Sequence, residues 1–226
     1  MNSARTGQRG GDWIVTEEHG PAGDFHGREI ELPAKRQLMI FHVTTTALVL
    51  GSTQSANDVD NEAASEIEIV HRRSGGGAVL LEPDHNLWID VVVPRDDVLW
   101  NDDVGQATWW LGERWMTALS ACGVSDLRVH RGGLEPTPLA KVVCFAGLGP
   151  GEVVQGERKI VGISQRRTRD AARFQCCVLG RFDNDQHRRL LAPGWERVGA
   201  GPDSPLPVAS FAQLEALKQA FLAQFA

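Results

Sequence analysis

Residues 71–79 read His71-Arg72-Arg73-Ser74-Gly75-Gly76-Gly77-Ala78-Val79. Three consecutive glycines let the backbone approach a ligand closely and leave several N–H groups open to an anion. The two arginines before them supply fork-shaped donors for a carboxylate or phosphate. The run passes into a strand-like segment, so it is not a dinucleotide fingerprint. No Gly-Lys-Ser/Thr follows, so it is not a Walker loop. The segment suits an acyl-phosphate. The alternative is a glycine-rich hairpin turn flanked by solvated arginines.

A second segment reads Gly156-Glu157-Arg158-Lys159-Ile160-Val161-Gly162-Ile163-Ser164-Gln165-Arg166-Arg167. If Lys159 opens a strand, regular alternation puts Ile160, Gly162 and Ser164 on one face and Lys159, Val161, Ile163 and Gln165 on the other. A partly buried ammonium among apolar neighbours needs an anion, and a bound carboxylate or α-phosphate is a natural one. The alternative is a charged strand end that snorkels to solvent. The chain has four lysines against nineteen arginines, which makes a lysine inside an arginine-rich run conspicuous.

Around these segments, apolar runs at 38–43, 47–50 and 67–70 predict short strands, and 78–81 with 87–93 predict an antiparallel hairpin closed over 82–86. Residues 101–121 predict a helix, because Val104, Trp110, Leu111, Trp115, Leu119 and Cys122 recur at spacings near three and four. Further strands are expected at 127–130, 142–145, 152–154, 159–165 and 174–179, then a loop over 180–206 and a closing helix at 211–225. Residues 1–35 read as a flexible N-terminal tail and 36–226 as a single catalytic domain. The order of elements lacks a β-α-β-α rhythm. It predicts an α+β fold, a mixed, largely antiparallel sheet with flanking helices.

Composition narrows the function. Of 226 residues, 23 are Lys or Arg and 29 are Asp or Glu, so a net charge of −6 argues against nucleic-acid binding by global charge. No apolar run approaches the ~20 residues a membrane span needs. Residues 1–12 hold no apolar core of a secretory signal, so a cytoplasmic location is expected. Cys122, Cys144, Cys176 and Cys177 form neither a disulfide framework nor a C-x-x-C metal pair, and no metal ligands are assigned. Cys144 lies in Lys141-Val142-Val143-Cys144-Phe145-Ala146-Gly147-Leu148-Gly149-Pro150-Gly151-Glu152, where an apolar strand is expected to meet a Gly-Pro loop at a cleft. Simple packing of a buried thiol is its alternative. Packing is also the reading for Cys176 and Cys177.

Taken in order, Leu50-Gly51-Ser52-Thr53-Gln54, the arginine-glycine segment and the Lys159 segment resemble the lipoate-protein ligase family, within the group that includes biotin protein ligases and octanoyltransferases. The resemblance covers about residues 38 to 180. It implies a biotin/lipoate protein ligase catalytic domain that attaches a lipoyl or octanoyl group to a lysine of a lipoyl carrier domain or a glycine cleavage H-type protein. In the ligases of this family ATP, with Mg2+, activates lipoate as an acyl-adenylate. Carried over by motif, Lys159 holds the carboxylate and α-phosphate oxygens. Arg72, Arg73, Ser74, Gly75, Gly76, Gly77 and Ala78, with Gly162 and Ser164, line the acyl-adenylate, while the apolar residues near Val79 and Ile163 either border the acyl tail or only pack the core. Cys144, fifteen residues before Lys159, resembles the nucleophile of one octanoyltransferase class, which takes octanoate from octanoyl-acyl carrier protein as a thioester without ATP. A non-catalytic acyl-binding module is a third alternative. The basic run Arg166, Arg167, Arg169 offers a surface for an acidic carrier domain, or a solvated strand face. The sequence departs from the family where Leu80-Leu81-Glu82 replaces an expected His, where Asn86 only approximates a ligand-facing Asn, and in having no C-terminal accessory domain after one closing helix.

Overall fold

The computed structural model describes residues 6–10, 12–135, 137–199 and 206–226, with backbone alone for 6–10. An eight-stranded sheet forms the frame. Its strands are β1 (Thr6–Gly10), β2 (Trp13–Gly20), β3 (Gln37–Val43), β7 (Asn86–Pro94), β11 (Ala171–Leu179), β10 (Arg158–Arg167), β9 (Val153–Gln155) and β8 (Leu127–Val129), in that spatial order. A three-stranded sheet, β5 (Glu68–His71), β4 (Ala47–Leu50) and β6 (Val79–Leu81), packs against one face. Pairings are antiparallel except β2 with β3 and β4 with β5. The fold is therefore α+β on a largely antiparallel sheet.

The opposite face is covered by α2 (Trp109–Ala121) and α5 (Leu214–Leu222). Leu111, Trp115, Ala118 and Leu119 of α2 are buried, a one-sided stripe that meets Leu217 and Phe221 of α5, with Trp115 stacked on Phe221 at 3.9 Å. α2 begins at Trp109, later than the expected 101, because the Asp103 carboxylate accepts the N–H groups of Gly105 and Gln106 and holds 103–108 in turns.

Four other expectations are corrected. The 78–81 and 87–93 segments do not pair: β6 joins β4 in the small sheet, and β7 lies between β3 and β11 in the large one. Residues 142–145 form 3-10 turns (Pro138–Lys141, Cys144–Ala146) with one bridge from Ala78 to Val143, not a strand. The stretch expected to be a loop after 180 holds α3 (Asn184–Leu190) and α4 (Ala192–Arg197). Residues 13–26 are no tail. They supply β2 and α1 (Ala22–His26), whose first N–H groups are capped by the Glu68 carboxylate at 3.1 Å. Residues 1–5 of that segment lie outside the described residues.

Candidate active site

An apolar cleft opens between the two sheets. Val49, Val79 and Leu81 of the small sheet form one wall, Trp88, Gly162 and Cys177 of the large sheet the other, and Phe145, Cys144, Arg72, His26 and Glu152 border it. A second cleft, the more polar of the two, lies beyond Phe145, where Arg128, Glu135, Thr137, Glu157 and Lys159 line it beside Leu148 and Val154. Phe145 lines both clefts. Lys159 and Glu152, bonded across the seam, contribute one to each.

Lys159 is only 4% exposed. Its Nζ lies 2.8 Å from Glu152 Oε2, donates to Cys144 O at 3.0 Å and Gly147 O at 3.1 Å, and stands 5.0 Å from the Phe145 ring centre. Burial pulls the ammonium's pKa down, and the Glu152 carboxylate, with the Cys144 sulfur, more than offsets that, leaving it above the ordinary lysine value. Regular strand alternation fails here. The β10–β9 register shifts between Lys159 and Val161, a bulge that turns Lys159 to the side of Gly162. A Cβ built on Gly162 would lie 3.5 Å from Lys159 Cε and 3.3 Å from the Phe145 ring, so glycine leaves the room both side chains use.

The arginine-glycine segment also differs from expectation. Arg72 is buried, and its guanidinium donates to the carbonyls of Gly75 (2.8 Å), Gly77 (2.7 Å) and Val49 (3.4 Å), shaping the loop from within. Arg73 points outward to Glu29, which also pairs with Arg166 at 3.0 Å. Gly76 has φ +92°, and a Cβ on Gly77 would lie 2.4 Å from Val143 N. These two glycines are required by geometry. Among the described residues, the exposed Gly75 and Gly76 donate their N–H groups to no acceptor. Ala78 is buried outside the cleft and clamps the Cys144 segment, donating to Val142 O and accepting from Cys144 N. Ser74 Oγ and Ser164 Oγ lie 3.5 Å apart at the cleft rim, and Ser52 N donates to Ser74 O.

Cys144 is half-buried and borders the cleft beside Cys177, whose thiol burial pushes up to about 12. Cys176, fully buried, packs with Ile163 in the core on the other face of the sheet, under α2. Arg167 stacks on Trp100 at 4.3 Å, Arg166 pairs with Glu29, and Arg169, 90% of its side chain exposed, has Nε 3.5 Å from Asp170 Oδ1. Sequence reasoning missed Glu152 and His26. Glu152 lies in a quoted segment, but nothing local revealed that it would meet Lys159. His26 lies in the supposed tail. Its ring packs on Trp88 at 4.4 Å, and burial, with the Arg72 and Arg173 guanidiniums, pushes its pKa to about 3, so it is neutral.

A family model for the lipoyl protein ligase A/B catalytic domain matches residues 27–225. The chain belongs to the lipoyl protein ligase A/B family. A lipoate-protein ligase A solved with ATP matches this family member at TM-score 0.69 and 19% identity, over 95% of this chain and 83% of that one. A T. acidophilum protein solved with bound lipoic acid matches at TM-score 0.65 and 20% identity, over 90% and 76%. A structure of an archaeal lipoylation system, a bi-partite lipoate protein ligase and its E2 lipoyl domain from Thermoplasma acidophilum, matches at TM-score 0.67 and 17% identity, over 93% and 81%. These likenesses are in fold. No curated protein matches the sequence. Among the described residues of this ligase-family chain, no helix is long and apolar enough to cross a membrane.

Proposed function

We propose that this chain attaches a lipoyl or octanoyl group, activated as an acyl-adenylate, to a lysine of a lipoyl carrier domain or an H-type protein. One observation carries the reading: a buried, charged Lys159 stands at the seam of an apolar cleft fit for an acyl chain and a polar cleft fit for phosphate and ribose. The acyl tail fills the apolar cleft with its carboxylate toward the seam. The carboxylate oxygen attacks the α-phosphorus of ATP and pyrophosphate leaves. The acceptor amine then attacks the acyl carbonyl and AMP leaves. Lys159 and the open N–H groups of Gly75 and Gly76 offset the negative charge in both steps, and Arg73 at the rim is a further donor for phosphate. Magnesium entering with ATP would neutralise the charge of the leaving pyrophosphate; among the described residues no cluster of three acidic, His or Cys side chains stands ready to hold it.

A second reading is favoured by Cys144. Its half-buried side chain borders the same cleft while its carbonyl is held by Lys159, a placement that suits a thioester route from octanoyl-acyl carrier protein. Intact-mass spectrometry separates the readings. ATP-dependent modification of a lipoyl domain by lipoate, with no adduct on the enzyme and with activity retained in Cys144→Ser, establishes the ligase. A hydroxylamine-labile octanoyl adduct lost in Cys144→Ser, then passed to the lipoyl domain, establishes the octanoyltransferase. Acyl binding with no transfer from either donor leaves a non-catalytic module and refutes both.

A further inference from the structure

An ammonium has three N–H donors and no acceptor, and the fold occupies all three on Lys159 with Glu152 Oε2, Cys144 O and Gly147 O. A substrate oxygen can therefore reach Lys159 only by replacing one of them. The three are unequal. Glu152 is 5% exposed and fixed on every side: Oε1 accepts the Ile163 N–H at 3.0 Å, Oε2 accepts the Gly149 N–H at 2.7 Å, and its own backbone carbonyl accepts the His130 N–H at 2.8 Å. The loop that carries it is locked to α2. Thr108 Oγ1 donates to Pro150 O at 2.7 Å, and Gly112 approaches Gly151 so closely that a Cβ there would lie 2.2 Å from Gly151 O. The other two acceptors are neutral carbonyls. Exchanging a neutral carbonyl for a substrate oxygen costs far less than separating a buried ion pair.

We propose that Glu152 is a positioning residue for acyl transfer: it tethers the Lys159 ammonium, charged, at the seam by one ion pair, while the bonds to Cys144 O and Gly147 O exchange for the oxygens of the substrate. The tether stands on the geometry; its catalytic use rests on the acyl-transfer reading above. The groups facing Lys159 are Glu152, the Cys144 thiol, Arg72 from the glycine segment, Cys177 on β11, and Arg128, Glu135 and Glu157 around the polar cleft. Glu152 is the carboxylate in ion-pair contact with it.

With four lysines in the chain, NMR of 13Cε/15Nζ-labelled lysine resolves the Lys159 ammonium, assigned by its loss in Lys159→Met. It is titrated from about pH 6 to pH 11 in the wild type, Glu152→Gln and Glu152→Asp, beside the pH profile of kcat/KM for transfer to a lipoyl domain. In the wild type Lys159 stays protonated through neutral and mildly alkaline pH. In Glu152→Gln its titration moves down by about one unit or more, because burial and the Arg72 guanidinium are then opposed by no carboxylate in ion-pair contact, and the alkaline limb of kcat/KM moves with it. Glu152→Asp restores the limb and lowers kcat about tenfold or more through the shorter tether, with KM for the acyl substrate little changed. An unchanged Lys159 titration in Glu152→Gln, or a uniform loss of rate with no displaced limb, overturns the proposal. If Glu152→Gln does not fold, Glu152→Asp decides alone, and wild-type kcat in that variant overturns it. A wild type that transfers no acyl group from any donor overturns the acyl-transfer reading instead, before any variant is compared.

Discussion

Lys159, Glu152 and His26 show how burial sets the charge a side chain carries. Lys159 keeps its charge because a fixed carboxylate meets it at 2.8 Å, whereas His26 is buried and faces two guanidiniums, so it stays neutral. The sign of the resulting pH dependence is definite. In the unfolded chain His26 takes up a proton as pH falls through about 6.5, and in the folded protein it refuses one until about pH 3. Its contribution is intact above pH 6.5 and is lost as pH falls toward 3, by roughly 3–5 kcal/mol if the whole window is traversed. His187 is shifted in the same direction by burial, so only a paired comparison isolates His26. Urea unfolding from pH 7 to pH 4 is expected to show a clearly shallower loss of stability in His26→Phe than in the wild type. Equal slopes would show that the imidazole is not buried as described.

At the scale of elements, the glycine segment is a docking surface before it is a ligand cradle. Gly77→Ala places a methyl against Val143 N and is expected to cost about 1–3 kcal/mol, the range for overpacking, and to displace the 142–146 segment that carries Cys144 and Phe145. Denaturant titration with the reactivity of the Cys144 thiol reads both effects, and a wild-type value for either would count against the packing. Strands with sustained apolar runs, such as Gln37–Val43 and Ala171–Leu179, were legible in the sequence, as were the Lys159 segment and the core stripe of α2. What eluded a local reading was long-range. Partner choice for β6 and β7 depends on which sheet each strand joins, and the direction of Lys159 depends on a bulge against β9. The roles of Arg72 and Glu152 depend on carbonyls and amides brought in from other elements.

Across the whole molecule, α1 brings His26 to the border of the apolar cleft, and a buried ion pair on the large sheet is one of the contacts that fasten it there. Arg173, 3% exposed, pairs with the fully buried Asp90 at 2.5 Å and donates to Arg28 O at 2.7 Å and Phe25 O at 2.8 Å, so it fastens α1 and the chain after it to the large sheet. Arg173→Leu strands the Asp90 carboxylate in the core and is expected to cost about 3–5 kcal/mol. Hydrogen exchange should then quicken at residues 20–28 more than in α2, and protection that falls equally everywhere would contradict this fastening role. We propose that the apolar cleft, the more polar cleft beside it and the Lys159 between them make up the acyl-transfer site. The most direct measurement of that claim is single-turnover transfer to a lipoyl domain by the wild type and by Lys159→Ala, each checked by circular dichroism. The account predicts a folded variant whose transfer is slowed by about two to three orders of magnitude. A folded Lys159→Ala that transfers as fast as the wild type would contradict it.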